Sequence, residues 1–183
     1  MPIEEPPYSI ERRAPYYEVR RYENTIVAET FVNGDLDEAS RSGFKILAGY
    51  IFGKNESQTE IAMTAPVTLS GKGEKQVLQF SMPRSFSMQK LPRPNDQKVH
   101  LREIPSRRIA VYRYSGSWSQ QLFDEKLQFF LSELNKDAVP LKGEPIFARF
   151  NSPFSLWFLR RNEIWIQLDD RSLPSNPSSI DGQ

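Results

Sequence analysis

The side chains that could do chemistry in this sequence are mainly carboxylates, guanidinium groups and aromatic rings. The chain has no cysteine and a single histidine, His100. These counts exclude disulfides, thiolate nucleophiles and zinc sites built from cysteine and histidine. A Ser–His–Asp triad would have to use His100, and neither a dinucleotide-binding glycine pattern nor a phosphate-binding loop occurs. Most of the residues and motifs that common catalytic sites require are therefore missing, which makes an enzyme the weaker interpretation.

Basic side chains beside apolar segments could instead hold a ligand that carries carboxylates. The candidates are Arg20, Arg21, Lys54, Arg160 and Arg161. A guanidinium group matches a carboxylate in a two-pronged hydrogen-bonded pair, which orients a ligand as well as attracting it. Each of these groups could equally be an ordinary solvated charge. Their support for a ligand site therefore depends on the apolar elements beside them.

The first of these elements is a helix predicted over residues 36–52, with Asp35 as its N-cap and Glu38 completing a capping box. Its apolar arc contains Ala39, Gly43, Phe44, Ile46, Leu47, Ala48, Tyr50 and Ile51, and Phe52 falls on the far flank. This arc is wider than one core needs. Either the helix is wedged between two layers or against a dimer partner, or it forms one wall of a concave apolar site.

The second element is an apolar segment between Pro153 and the pair Arg160 and Arg161. Its large apolar residues are Phe154, Leu156, Trp157, Phe158 and Leu159. An apolar loop of this kind is costly when exposed and indicates a binding surface. The alternative is that Trp157 and its neighbours fill the core.

The order strand–helix–strand–strand occurs twice along the chain. The predicted strands cover residues 16–32, 61–67, 76–82, 99–114, 146–150 and 163–168, and the second helix covers 119–134. Residues 26–31 match 109–114 in pattern, and 65–67 match 152–154. We therefore expect an α+β domain of two pseudo-symmetric halves, each with a helix on one face of an antiparallel sheet.

The expected organisation is one domain between two less structured ends. It comprises an extended N-terminal segment (1–15), a domain (16–170) with halves at about 16–83 and 99–170, a linker (84–98) and a disordered tail (171–183).

Charge narrows the class of partner. Lys and Arg number 24 and Asp and Glu 23, for a net charge of +1. Nucleic acid is not an expected partner, because proteins that bind it normally carry a basic excess. No apolar stretch is long enough to span a bilayer, and the acidic, proline-rich start is unlike a secretory signal. We expect a cytoplasmic monomer or weak dimer with a small-molecule partner.

Several segments together resemble the SOUL haem-binding protein family over residues 16–169. They are 17–22 (YEVRRY), 43–44 (GF), 50–56 (YIFGKNE), 61–67 (IAMTAPV), 151–153 (NSP) and 162–165 (NEIW). The resemblance implies a distorted antiparallel β-barrel flanked by two helices. It also implies tetrapyrrole binding in a shallow apolar cleft between the first helix and the loop at 152–162. Arg21 holds the position of a haem-ligating histidine in the family, and arginine cannot ligate iron.

We therefore expect a protein that binds haem or another tetrapyrrole non-covalently and reversibly, as a carrier, buffer or sensor, without histidine ligation. The expected binding residues are Arg21, Phe44, Leu47, Ala48, Ile51, Phe52, Lys54, Leu156, Trp157, Phe158, Arg160 and Arg161. Three alternatives stay open. They are an effector-binding module for another hydrophobic small molecule, an enzyme acting on a tetrapyrrole or small apolar substrate, and a protein-interaction domain.

Overall fold

The structure is a computed structural model that describes residues 3–151 and 156–170. The predicted tail (171–183) and the predicted repeat match at 152–154 lie outside the described residues. The strands are β1 (Tyr8–Arg13), β2 (Glu18–Tyr22), β3 (Thr25–Asn33), β4 (Val67–Lys72), β5 (Lys75–Ser81), β6 (His100–Ile104), β7 (Arg107–Tyr114), β8 (Ile146–Arg149) and β9 (Asn162–Gln167). The helices are α1 (Leu36–Ile51) and α2 (Gln120–Lys136), and a 3-10 turn covers Trp157–Leu159.

The strands of the described residues form one antiparallel sheet in the order β1-β2-β7-β9-β8-β4-β5-β3-β6. The pair β4–β8 lies at the centre, and the order on one side mirrors the order on the other. β2 pairs with β7 as β6 pairs with β3, so each half lends a strand to the other. These features confirm the predicted α+β fold with two similar halves.

The sheet must curl because of one short connection. β2 ends at Tyr22 and β3 begins at Thr25, yet five strands separate the two in the sheet order. Only a strongly curled sheet brings such distant strands within two residues of each other. The curl creates an inner face and an outer face, and the helices cover the outer one.

The helices begin where the sequence predicts. The Asp35 side chain accepts hydrogen bonds from the backbone N–H groups of Asp37 and Glu38, and Ser119 caps α2 in the same way. On α1, Gly43 permits close packing on β5, because a Cβ atom there would lie 2.9 Å from Leu78 Cδ2. Capping and close packing therefore fix how α1 sits on the sheet.

The structure differs from the sequence-based expectation in two places. The alternation at residues 61–67 is not a strand, since the chain is irregular until β4 begins at Val67. The backbone N–H of Ala65 donates to the Glu4 carbonyl, and Pro66 has no N–H to donate. The N-terminal segment 1–15 contains β1, which pairs with β2. Within the described residues, no helix has the length and apolar character needed to cross a lipid bilayer.

The inner face carries a buried carboxylate, Glu29, on β3. It accepts hydrogen bonds from Arg102 Nε at 3.0 Å and from Gln79 Nε2 at 2.7 Å. Burial alone would raise the pKa of Glu29, but these hydrogen bonds and the Arg102 charge outweigh it and lower the pKa below its ordinary 4.5. The ionised form is therefore the one that the fold stabilises.

Glu29 should make the stability of the protein sensitive to acid. A carboxyl whose pKa is depressed on folding stabilises above its unfolded pKa, and that contribution is lost as pH falls through the folded pKa. We expect Glu29→Gln to flatten the fall in unfolding free energy below about pH 4.5. Urea unfolding at a series of pH values measures how the unfolding free energy depends on pH, with substitution of the exposed Glu103 (Glu103→Gln) as control. Parallel curves for Glu29→Gln and the wild type would contradict the assignment.

Candidate ligand-binding groove

A groove of about 470 Å³ lies on the outer face between α1, the central strands and the segment before α2. Its volume falls in the range of small-molecule sites. Its lining residues are Asp37, Ser40, Arg41, Phe44, Val67, Leu78, Trp118, Arg149 and Asn151. Its apolar surface comes from Phe44, Val67, Leu78 and Trp118, and the remaining lining residues are polar or charged.

Phe44 forms the apolar wall on the helix side. Its side chain is 41% exposed, and its ring meets the Phe80 ring edge to face with 5.3 Å between centroids. Val67 and Leu78 line the groove next to it. Because neighbouring Gly43 packs tightly on Leu78, Phe44 is held at the edge of the core with one side open to solvent.

Trp118 forms the opposite wall, just before α2. Its ring is fixed by a hydrogen bond from Nε1 to Asn162 Oδ1 at 2.8 Å. Two guanidinium groups lie close to this ring, that of Arg149 at 4.7 Å and that of Arg160 at 4.3 Å from the centroid. The indole therefore brings two positive charges to one end of the groove, where cation–π attraction holds them.

Arg149 is the most unusual group in the groove. Its Nη2 donates to Ser40 Oγ at 2.5 Å, while its buried Nε has no hydrogen-bond partner in the part of the chain that the structure describes. Burial lowers the pKa of Arg149 to about 10; the charge of Asp37 opposes this lowering, and the nearby Arg160 adds to it. The group is still a cation at neutral pH. It is partly desolvated and has an unused donor, which favours a negatively charged partner.

The arrangement suits a flat apolar ligand with carboxylates at one edge. Phe44 and Trp118 offer aromatic surfaces, and Arg149 and Arg160 offer donors for the charged edge. The described residues that line the groove include no histidine, cysteine, methionine or tyrosine. This set recognises shape and charge, and it offers none of the side chains that usually ligate haem iron.

Several of the predicted helix residues do not line this groove. Leu47 and Ile51 are fully buried, so their side chains pack in the core and are not available to a surface ligand. Ala48 is partly buried one turn beyond Phe44. Phe52, which is 65% exposed, lies eight residues after Phe44, or roughly 12 Å further along the helix axis. The groove therefore lies at the N-terminal half of α1, whereas the sequence placed it towards the C-terminal half.

The predicted cations separate into two groups. Arg160 lies over the ring of Trp118, which lines the groove, but Arg160 is not itself a lining residue. Arg161 instead pairs with Glu5 and with Glu163 at the inner face. The other three are also elsewhere. Arg20 is buried and pairs with Glu163. Lys54 is exposed beyond the end of α1, with its side chain over Gly49, and Arg21 forms ion pairs with Glu11 and Asp170.

The predicted apolar loop is in part exposed. Around the 3-10 turn, Leu156, Phe158 and Leu159 are 59%, 52% and 66% exposed, respectively. The side chain of Trp157 and residues 152–155 lie outside the described part of the structure. Since Arg160 follows directly and contacts Trp118, the turn stands beside the cationic end of the groove.

The sequence interpretation missed Trp118 and Arg149. A signal for Arg149 was present, because it alternates with Phe147 along β8 and so shares the face that the helices cover. A charged residue on a face meant for the core is informative, since a buried charge needs a partner or a ligand. Trp118 gave no comparable signal, because it stands alone in a polar turn before α2.

The fold and groove define a class of protein. It is an α+β domain of two similar halves whose curled sheet carries one helix per half. The EcmrR C-terminal domain has this fold, with a TM-score of 0.67 at 11% identity over 85% of this chain and 99% of that one. So does a hydrolase from Listeria innocua, with a TM-score of 0.62 at 8% identity over 87% of this chain and 94% of that one. At such low identity the likeness shows the fold alone.

Sequence comparison gives the family. The family model described as SOUL heme-binding protein matches residues 3–167. Heme-binding protein 2 of Mus musculus is 31% identical over 175 residues, which cover 91% of this chain and 84% of that protein. Heme-binding protein 2 of Homo sapiens is 32% identical over 158 residues, which cover 82% and 77%. The chain belongs to the SOUL heme-binding protein family, which confirms the resemblance found in its motifs.

Proposed function

We propose that this protein binds haem or another tetrapyrrole, non-covalently and reversibly, in the groove between Phe44 and Trp118. In this role it is a carrier, buffer or sensor of the ligand. The observation that carries the proposal is the partly buried guanidinium of Arg149, whose Nε has no hydrogen-bond partner among the described residues, in a groove that also presents the rings of Phe44 and Trp118. The family and the names of both mammalian relatives support the same ligand class.

Apolar contact supplies most of the binding free energy. A tetrapyrrole is a flat disc, and covering about 300 Å² of its surface at ~25 cal/mol/Å² gives several kcal/mol before the costs of association. Phe44, Val67 and Leu78 supply the apolar contact on the helix side. Leu156, Phe158 and Leu159 are exposed just before Arg160, which lies over the Trp118 ring, so they offer further apolar surface for the other side of the disc.

Charge orients the disc in the groove. Its propionate carboxylates match the donors of Arg149 and Arg160, which lie together against Trp118. Because Arg149 is already partly desolvated, a carboxylate beside it restores hydrogen bonds that the folded chain leaves unmade. The acidic edge therefore belongs at the Trp118 end of the groove.

Iron ligation by histidine has no part in this proposal. His100 lies at the start of β6, exposed beside Phe31 with 5.8 Å between ring centroids, and it is not among the groove residues. Arg21 takes part in ion pairs at the β1–β2 edge of the sheet. The protein should therefore recognise the porphyrin and its carboxylates more than the metal.

Titration with hemin and with its dimethyl ester tests the proposal. We expect hemin to bind and to quench tryptophan fluorescence. The ester should bind at least about tenfold more weakly, because a charged hydrogen bond is worth about 1.5–3 kcal/mol. Metal-free protoporphyrin should bind much as hemin does. Equal affinity for hemin and its dimethyl ester would contradict the proposed role of Arg149 in binding the propionate carboxylates.

His100→Ala is the matched control for ligation. We expect the Soret maximum and the hemin affinity of this variant to equal those of the wild type, because no imidazole lies in the groove. A shifted Soret band in His100→Ala would place the ligand elsewhere. Failure of the wild type to bind any porphyrin would overturn the proposal altogether.

A further inference from the structure

The inner face of the sheet contains a small polar recess that the proposed function does not use. Its volume is about 20 Å³. Strands from both halves supply its walls, including Tyr22 of β2, Thr68 of β4, Gln79 of β5, Arg107 of β7 and Trp165 of β9. The recess lies on the face opposite the helices and is separate from the Phe44–Trp118 groove.

The buried carboxylates of this face already have partners. Glu29 is held by Arg102 and Gln79. Glu163 accepts hydrogen bonds from Arg20 and Arg161. Neither acid is within ion-pair distance of Arg107. A third carboxylate, Glu23, also lines the recess, but it is exposed to solvent.

Arg107 is left without a counter-charge. Across residues 3–151 and 156–170 its guanidinium forms no hydrogen bond and no ion pair. Burial lowers the pKa of Arg107, and the like charge of Arg102 lowers it further. Arg107 is partly buried, and a partly desolvated guanidinium is stabilised by a negative or hydrogen-bond-accepting partner that compensates its desolvation.

The other polar groups of the recess also have hydrogens to donate. The Tyr22 hydroxyl accepts a hydrogen bond from Arg20 Nη1, which leaves its own O–H free to donate. Gln79 Oε1 accepts from Thr68, and Gln79 Nε2 gives one of its two hydrogens to Glu29. The remaining amide hydrogen, the tyrosine hydroxyl and Arg107 therefore make the recess rich in donors.

We propose that the recess at Arg107 is a binding site for a single small monovalent anion of the chloride class. A cavity of about 20 Å³ holds one atom-sized occupant and has no room for phosphate or sulfate. The recess shares Pro6, Glu23, Thr25 and Ser81 with a surface cavity of about 430 Å³, which gives it a route to solvent. Glu23, which lines both cavities, repels a dianion more strongly than a monovalent anion.

Crystals of the wild-type protein soaked in bromide give the direct test. Bromide scatters anomalously and replaces chloride in such sites. We expect an anomalous peak within about 3.5 Å of the Arg107 guanidinium. A recess that contains only water, with bromide peaks elsewhere or none, would overturn the proposal. This test requires no variant to fold.

Thermal unfolding gives the solution test. An anion that binds only the folded state raises the melting temperature in a saturable way. We expect a chloride titration, with gluconate keeping the ionic strength constant, to give a plateau in the wild type and in Arg113→Gln. Arg113 is the matched control, since it is exposed on the same strand. Arg107→Gln should show no saturable rise, and an equal rise in all three proteins would contradict the assignment.

Discussion

Replacing Glu163 with glutamine is expected to lower the free energy of unfolding by about 3 kcal/mol. Glu163 lies on β9 and is fully buried at the inner face. Arg20 reaches it with both terminal nitrogens at 2.8 and 3.2 Å, and its own side chain is only 4% exposed. Arg161 Nε and Trp165 Nε1 also donate to the same carboxylate. One negative charge therefore satisfies donors from three side chains.

The size of this effect comes from what the substitution leaves behind. Burial alone would lower the pKa of Arg20, but the hydrogen bonds and charge of Glu163 outweigh it and raise that pKa. A neutral amide at position 163 removes that charge, so the buried Arg20 cation keeps its hydrogen bond to Tyr22 and the carboxylate of the partly exposed Glu18 at 3.3 Å. Breaking a buried pair in this way costs about 3–5 kcal/mol, and the remaining Glu18 contact favours the lower end.

Urea unfolding of Glu163→Gln and Glu103→Gln measures the difference. Glu103 is exposed and accepts one hydrogen bond from Asn24, so its substitution should change the unfolding free energy by less than about 0.5 kcal/mol. A loss below about 1 kcal/mol for Glu163→Gln would show that the inner face does not depend on this charge. Unchanged circular dichroism at low urea would confirm that both variants share the native fold.

Local patterns were enough to predict the elements and their order. Asp35 and Ser119 cap their helices because a short polar side chain can accept the free N–H groups of a first turn. The repeat of strand, helix and paired strands also appeared in the sequence, because each half contributes its own helix and its own set of strands to the single sheet. What the pattern could not show is that β2 and β6 exchange halves, since strand pairing depends on distant residues.

The groove was harder to predict than the fold. A helical stripe identifies apolar residues but not which layer each one faces, so Leu47 and Phe44 looked equivalent although one is buried and the other half-exposed. Arg149 and Trp118 lie far apart in sequence and meet only through the packing of β8 beside α2. The inner-face network of Glu163 is equally non-local, since Arg20 is 143 residues away. Contacts between residues so distant in sequence cannot be predicted from local sequence patterns.

Phe44→Asp is expected to weaken hemin binding by about 10- to 100-fold with the fold retained. Covering an aromatic side chain with a ligand is worth about 1.5–3 kcal/mol, and this substitution removes that surface from the groove. The new carboxylate also lines the same cavity as Arg149, so it competes with the ligand carboxylates for that cation. Because Phe44 is already 41% exposed, its loss should affect stability much less than binding.

Phe31→Asp is the matched control, because it makes the same chemical change on a more exposed ring away from the groove. Phe31 is 66% exposed on β3, where it contacts His100. Fluorescence and Soret titrations of both variants should show a weakened hemin affinity only for Phe44→Asp, with urea unfolding as the check on folding. Equal losses in the two variants would mean that added negative charge, and not the Phe44 wall, governs binding. An unchanged affinity in Phe44→Asp would place the ligand outside this groove.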